Sequence, residues 1–153
     1  MWTDDLSVGI SEIDHQHREL FGQLERLLDA CVAGEEQEEV LKMLSFLDDY
    51  VVTHFVTEEQ LQREYGYPGY HAHRAEHDHL LDAIVQFRGE VRECGPTRDF
   101  VLRLNQTLID WLREHIMTVD RAASSWLLAR LPQPADVLPR SGSAAAIMLP
   151  HEV

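Results

Sequence analysis

Five histidines and two carboxylates in this chain sit at spacings where helix side chains should be apolar: His17, His54 with Glu58, His73 with His77, and His115 with Asp120. Upstream of His54 the apolar residues read Val40, Leu44, Leu47, Val51, in steps of four and three that mark one stripe of an amphipathic helix. His54, Glu58 and Leu61 continue the stripe, so an imidazole and a carboxylate one turn apart face the core. Ile13, His17, Leu20, Leu24, Leu27 and Cys31 form a second stripe, which takes in His17 and leaves His15 outside. A third runs Tyr70, His73, His77, Leu80, Ile84, Phe87, Val91, with His71 and His79 off it, and a fourth runs Val101, Leu104, Leu108, Trp111, His115.

An unpaired buried carboxylate costs several kcal/mol, so Glu58 must be protonated, paired with a cation or bound to a metal. A single core histidine is usually a hydrogen-bonded structural residue. Five imidazoles and two carboxylates cannot all satisfy one another, whereas a metal centre satisfies every one at once. Imidazole with carboxylate suits iron, zinc or manganese, and the lack of thiolate ligands argues against a structural tetrahedral zinc. Seven side chains exceed what one ion holds. Two octahedral ions sharing both carboxylates and an oxide or hydroxide bridge would leave one position open, lined by apolar side chains and suited to a small diatomic ligand.

Positioning these groups requires four helices. Ser11 followed by Asp14 resembles a capping box and starts the first, which stops at Gly34. The second runs from Glu36 to Tyr65 and ends at Gly66-Tyr67-Pro68-Gly69, the third starts near Tyr70, and Cys94-Gly95-Pro96-Thr97 separates it from the fourth. On an ideal helix His115 and Asp120 lie about 140° apart, so one wide π turn between them is needed to bring both to one face. Short breaks force antiparallel neighbours, and the expected fold is an all-α up-down-up-down four-helix bundle over residues 1–131 with an N-terminal arm. Residues 132–153, with Pro132, Pro134, Pro139 and Pro150, read as a tail whose Ala144–Leu149 run is apolar enough to dock.

With 153 residues and a net charge of −14, the chain is one domain's worth of sequence that repels nucleic acid and anionic membranes. The start lacks a secretory pattern, no run is long enough to span a membrane, and the expected location is cytoplasmic, as a monomer. Cys31 and Cys94 are too few for a disulfide framework and are read as reduced.

The segments Ile13-Asp14-His15-Gln16-His17, His54-Phe55-x-x-Glu58-Glu59-x-Leu61, Tyr67-Pro68, His73-x-x-x-His77 and Trp111-Leu112-x-x-His115-x-x-x-x-Asp120 resemble the hemerythrins, specifically the stand-alone bacterial ones, over residues 1–127. The resemblance implies a cofactor of two iron ions joined by an oxide or hydroxide. His73, His77 and His115 would hold one iron, His17 and His54 the other, with Glu58 and Asp120 bridging. It further implies reversible dioxygen binding at the iron with two histidines. Spacing adds a pocket wall of Leu20, Phe55, Trp111, Leu112 and Ile116, together with Gln62, where the family commonly has methionine. A polar amide there is expected to hydrogen-bond the ligand or admit water and so hasten oxidation of the centre.

The favoured function is therefore an oxygen carrier, store or local supplier to an oxygen-consuming enzyme, not an enzyme itself. The alternatives are a di-iron enzyme acting on peroxide or nitric oxide, and an oxygen or iron sensor. Carboxylate-rich di-iron enzymes use paired Glu-x-x-His motifs at the metal, whereas the two here, Glu12-x-x-His15 and Glu76-x-x-His79, have their histidines off the core stripes.

Overall fold

A computed structural model of the chain describes residues 2–34 and 36–131, without the side chains of residues 32, 36, 37, 39, 44, 47 and 48. The expectations for the 132–153 tail, and for Leu44 and Leu47 as stripe residues, lie outside the described part. A single turn of 3₁₀ helix, Asp4–Leu6, precedes α1 (Ser11–Ala33), α2 (Glu36–Tyr65), α3 (Tyr70–Cys94) and α4 (Arg98–His115). A π turn, Ile116–Asp120, joins α4 without a break to α5 (Arg121–Leu128), so α4, the π turn and α5 make one continuous fourth rod. Helix α1 packs on α2 and α4, and α3 packs on the same two, which gives an up-down-up-down bundle.

The boundaries follow from local chemistry. Gly34 closes α1 in the left-handed region, φ 82°, where a side chain would be strained, and its N–H reaches the Ala30 and Cys31 carbonyls. The Thr97 hydroxyl accepts the Phe100 N–H and caps α4. The predicted Ser11/Asp14 capping box does not form. Ile10 is the N-cap, and Asp14, buried at 5% exposure, turns back to the arm. Its carboxylate accepts from the Ser7 hydroxyl at 2.5 Å and from the Val8 and Gly9 amides at 2.8 and 3.2 Å. Three donors in the arm outcompete the single one on offer at the helix start. Trp2, carried by this arm, lies over His17 with ring centroids 6.4 Å apart and roofs that side of the core.

Leu20, Leu24 and Leu27 of α1 and Val101, Leu104 and Leu108 of α4 make up much of the apolar half of the core. Each fully buried leucine there contributes about 2 kcal/mol. Asn105, buried among them, donates from Nδ2 to the Leu24 carbonyl at 2.6 Å and ties α4 to α1. Cys31 is buried, Cys94 is exposed and both are free, as expected for reduced thiols. No helix among the described residues is long and apolar enough to cross a membrane. Because the Asp14 carboxylate satisfies two backbone amides, Asp14→Ala is expected to lower the free energy of unfolding by about 2 kcal/mol. Urea denaturation checks this, and an unchanged midpoint would mean the arm is held by something else.

Candidate metal centre

All seven predicted side chains meet inside the bundle, each at most 4% exposed. Helix α1 supplies His17, α2 supplies His54 and Glu58, α3 supplies His73 and His77, and the fourth rod supplies His115 and Asp120. The π turn does the work predicted for it. Its wider winding carries Asp120, five residues after His115, onto the same face, and the two side chains come within 3.0 Å. His15, His71 and His79 are exposed, as their places off the stripes require.

The side chains form two groups that overlap. Glu58, His73, His77, His115 and Asp120 make one, and His17, His54, Glu58 and Asp120 the other, with ligand atoms in each within 4.8 Å of one another. The two carboxylates belong to both groups. Asp120 turns Oδ1 toward His73 and His115, at 3.1 and 3.0 Å, and Oδ2 toward His17, at 3.2 Å. Glu58 Oε2 lies 3.1 Å from His73 Nε2, 3.2 Å from His77 Nε2 and 3.9 Å from His54 Nε2.

These residues fit a metal better than they fit one another. Nε2 of His17, Nε2 of His115 and both Asp120 oxygens are buried without a properly directed hydrogen bond, despite separations near 3 Å. Atoms that close whose lone pairs miss each other are aimed at a common point between them, which is how ligands are arranged around a cation. The donor set of imidazole and carboxylate oxygen suits iron, manganese or zinc.

Electrostatics agrees. Burial and Asp120 oppose ionisation of Glu58, but His54 and hydrogen bonds with His73 and His77 outweigh them and hold its pKa at about 2. Burial likewise opposes ionisation of Asp120, yet His115, His17 and His73 keep its carboxyl well below the usual range. Burial alone would discharge His73, but Asp120 and Glu58 hold it up at about 9. His54 is lowered to about 4, with burial dominant over the pull of Glu58. At neutral pH Glu58 and Asp120 are both ionised against one imidazolium, His73, which leaves an excess of negative charge that suits cations.

Three imidazoles are held from behind. His54 Nδ1 faces Gln16 Oε1 at 2.9 Å, His77 Nδ1 faces Glu59 Oε1 at 3.2 Å, and His73 Nδ1 contacts the Gln62 amide at 2.8 Å. Such partners fix ring orientation and choice of tautomer. Rings are also clamped by stacking, Phe55 on His77 at 3.6 Å and Trp111 on His115 at 4.4 Å between centroids. The stripes do not reveal Gln16 and Glu59, although each is the immediate neighbour of a ligand-type residue, His17 and Glu58.

An apolar cavity of about 20 Å³, room for a water-sized molecule, is lined by Leu20, Leu24, Val51, Phe55, Leu80, Leu108, Trp111 and Leu112, and reaches His54. The predicted wall residues Leu20, Phe55, Trp111 and Leu112 are among them, but Gln62 and Ile116 are not. Gln62 is 1% exposed and sits behind His73, away from the cavity. The 4-3 stripe passes through Leu61, which is only half-buried; a run of fours from His54 through Glu58 leads instead to Gln62. Ile116, fully buried, opens the π turn.

A four-helix bundle with two histidine sets sharing two carboxylates defines a class of metal-binding bundle proteins, and the comparisons agree on which one. The sequence profile of the hemerythrin HHE cation binding domain matches residues 8–127, so the chain belongs to the hemerythrin family. Bacteriohemerythrin of Stenotrophomonas maltophilia is 32% identical over 139 residues, covering 87% of this chain and 84% of that protein. Bacteriohemerythrin of Methylococcus capsulatus is 33% identical, covering 78% and 90%. Among solved structures, a wild-type hemerythrin superimposes with a TM-score of 0.71 at 30% identity, over 83% of this chain and 96% of that one. A leucine-to-alanine mutant of hemerythrin gives 0.72 at 29% identity, over 83% and 95%.

The pKa shifts set the pH dependence of the metal-free protein. His73 binds its proton more tightly folded than unfolded, so its contribution is complete below about pH 6.5 and disappears as pH rises through 9. Glu58 acts oppositely, contributing above about pH 4.5 and failing as pH falls through 2. The urea midpoint of metal-free protein is therefore expected to drop between pH 6.5 and 9, by the equivalent of about 1–3 kcal/mol. A level or rising midpoint contradicts the His73 assignment.

Proposed function

We propose that the chain binds dioxygen reversibly at a non-heme di-iron centre, as a carrier, store or local supplier to an oxygen-consuming enzyme. His73, His77 and His115 would hold one iron and His17 and His54 the other, with Glu58 and Asp120, which belong to both groups, available to each. The observation that carries this reading is Asp120, whose Oδ1 faces one histidine set and Oδ2 the other. A carboxylate placed so could be shared between two cations. When bound, the iron pair supplies the electrons that make dioxygen binding tight and reversible.

The remaining work belongs to the chain. The group with two histidines offers one imidazole fewer than the group with three, so an ion held there would have the most room for a further ligand. The cavity supports that choice, since His54 is the one ligand-type side chain on its wall. Its leucines, Phe55 and Trp111 admit a small apolar molecule while excluding water and bulkier reductants. Gln16 and Glu59 hold the His54 and His77 rings in place for a bound ion.

The enzyme alternative would call on the Glu-x-x-His pairs at the centre. Of the two Glu-x-x-His pairs, Glu12 and His15 lie exposed on α1, and His79, the partner of Glu76, is exposed on α3. No general acid or base other than the proposed ligands lines the cavity among the described residues.

Reconstituted anaerobically, the protein is expected to carry two irons per chain and to develop a visible band in air that vanishes when oxygen is removed. Asp120→Ala should reduce the iron content to one or fewer per chain, because it strips a shared ligand from both sets. Two irons retained in that variant, or a band that bleaches irreversibly with turnover of substrate, would refute the proposal.

A further inference from the structure

Gln62 is the feature of the site for which the family resemblance offers no role, since methionine is common there. It is 1% exposed, placed one turn beyond Glu58 on α2, and its amide meets Nδ1 of His73 at 2.8 Å. Nε2 of the same ring points inward, 3.1 Å from both Glu58 Oε2 and Asp120 Oδ1. A neutral imidazole carries one proton, on one nitrogen or the other. If the amide NH₂ donated to Nδ1, the proton would sit on Nε2 and no lone pair would face the centre. If Nδ1 donates to the amide oxygen, Nε2 is bare and free to ligate.

Two further observations select the second arrangement. With the nitrogen toward His73, the amide oxygen Oε1 is buried with no donor, and a half-turn about Cγ–Cδ exchanges the two ends within the same volume. The neighbouring rings already follow the rule, since Nδ1 of His54 and of His77 each face an acceptor oxygen, from Gln16 and Glu59. We propose that Gln62 is a positioning residue whose amide oxygen accepts a hydrogen bond from Nδ1–H of His73, fixes that ring in the ligating tautomer and slows loss of iron from the set with three histidines. The bond also spans the corner between α2 and α3, where Tyr67 N–H returns to the Gln62 carbonyl at 2.7 Å. Ligand orientation is thereby tied to the helix connection.

This inference rests on the reading of His73 as a ligand, and the experiment separates the two. Gln62→Leu and Gln62→Met keep the volume and remove the acceptor, while Gln62→Glu keeps an acceptor in the same shape. Iron-loaded proteins are challenged anaerobically with a colorimetric ferrous chelator, and urea midpoints of the metal-free forms report folding. Release is expected to be about 10–100-fold faster in Gln62→Leu and Gln62→Met, and close to wild type in Gln62→Glu. Release from Gln62→Leu at the wild-type rate, or from Gln62→Glu as fast as from Gln62→Leu, overturns the role given to Gln62. Wild-type protein that takes up no iron overturns the di-iron reading itself.

Discussion

Two carboxylates and five imidazoles share one buried space, and that burial governs the rest of the structure. In a low-dielectric interior an anion without compensation costs several kcal/mol, and Glu58 and Asp120 lie close enough to repel one another. The imidazoles offset part of this, chiefly through His73, but their geometry does not let every lone pair find a proton. Cations placed between the two histidine sets would meet the inward-facing nitrogens and the Asp120 oxygens that lack partners. The fold is thus arranged to leave a demand for positive charge that its own side chains do not meet.

Meeting that demand requires rigidity, and the bundle supplies it in layers. The apolar half, knit by Leu24, Leu104 and Asn105, fixes α1 against α4. Around the site, Gln16, Glu59 and Gln62 hold rings by hydrogen bonds, and Phe55 and Trp111 hold them by stacking. The arm, pinned by Asp14, brings Trp2 over His17 and shields the polar layer from solvent. On the cavity side of His54 the described residues offer no further ligand-type side chain, and the wall there is the leucine-lined cavity.

Much of this is legible along the chain because helical periodicity is a local property. The stripes identify the inward-facing groups through His115, and the mismatch between His115 and Asp120 announces the π turn, since no regular helix brings residues five apart to one face. Asp14 and Gln62 depart from the sequence reading for a shared reason. A side chain's neighbours in sequence suggest a cap for one and a pocket wall for the other, but the partners that win come from elsewhere. Asp14 is taken by the arm and Gln62 by the first turn of α3.

The amino-acid sequence alone determined which faces of the helices are buried, where the helices stop and which ligand-type residues share a core, because these depend on spacing and on residues such as Gly34 and Thr97 that act within a turn. Only the tertiary structure decided which oxygen of Asp120 faces which histidines, which ring nitrogen has a partner and where the cavity opens. Those are relations between side chains on different helices, set by the packing of one rod against another, and no periodicity along a single stretch of sequence encodes them.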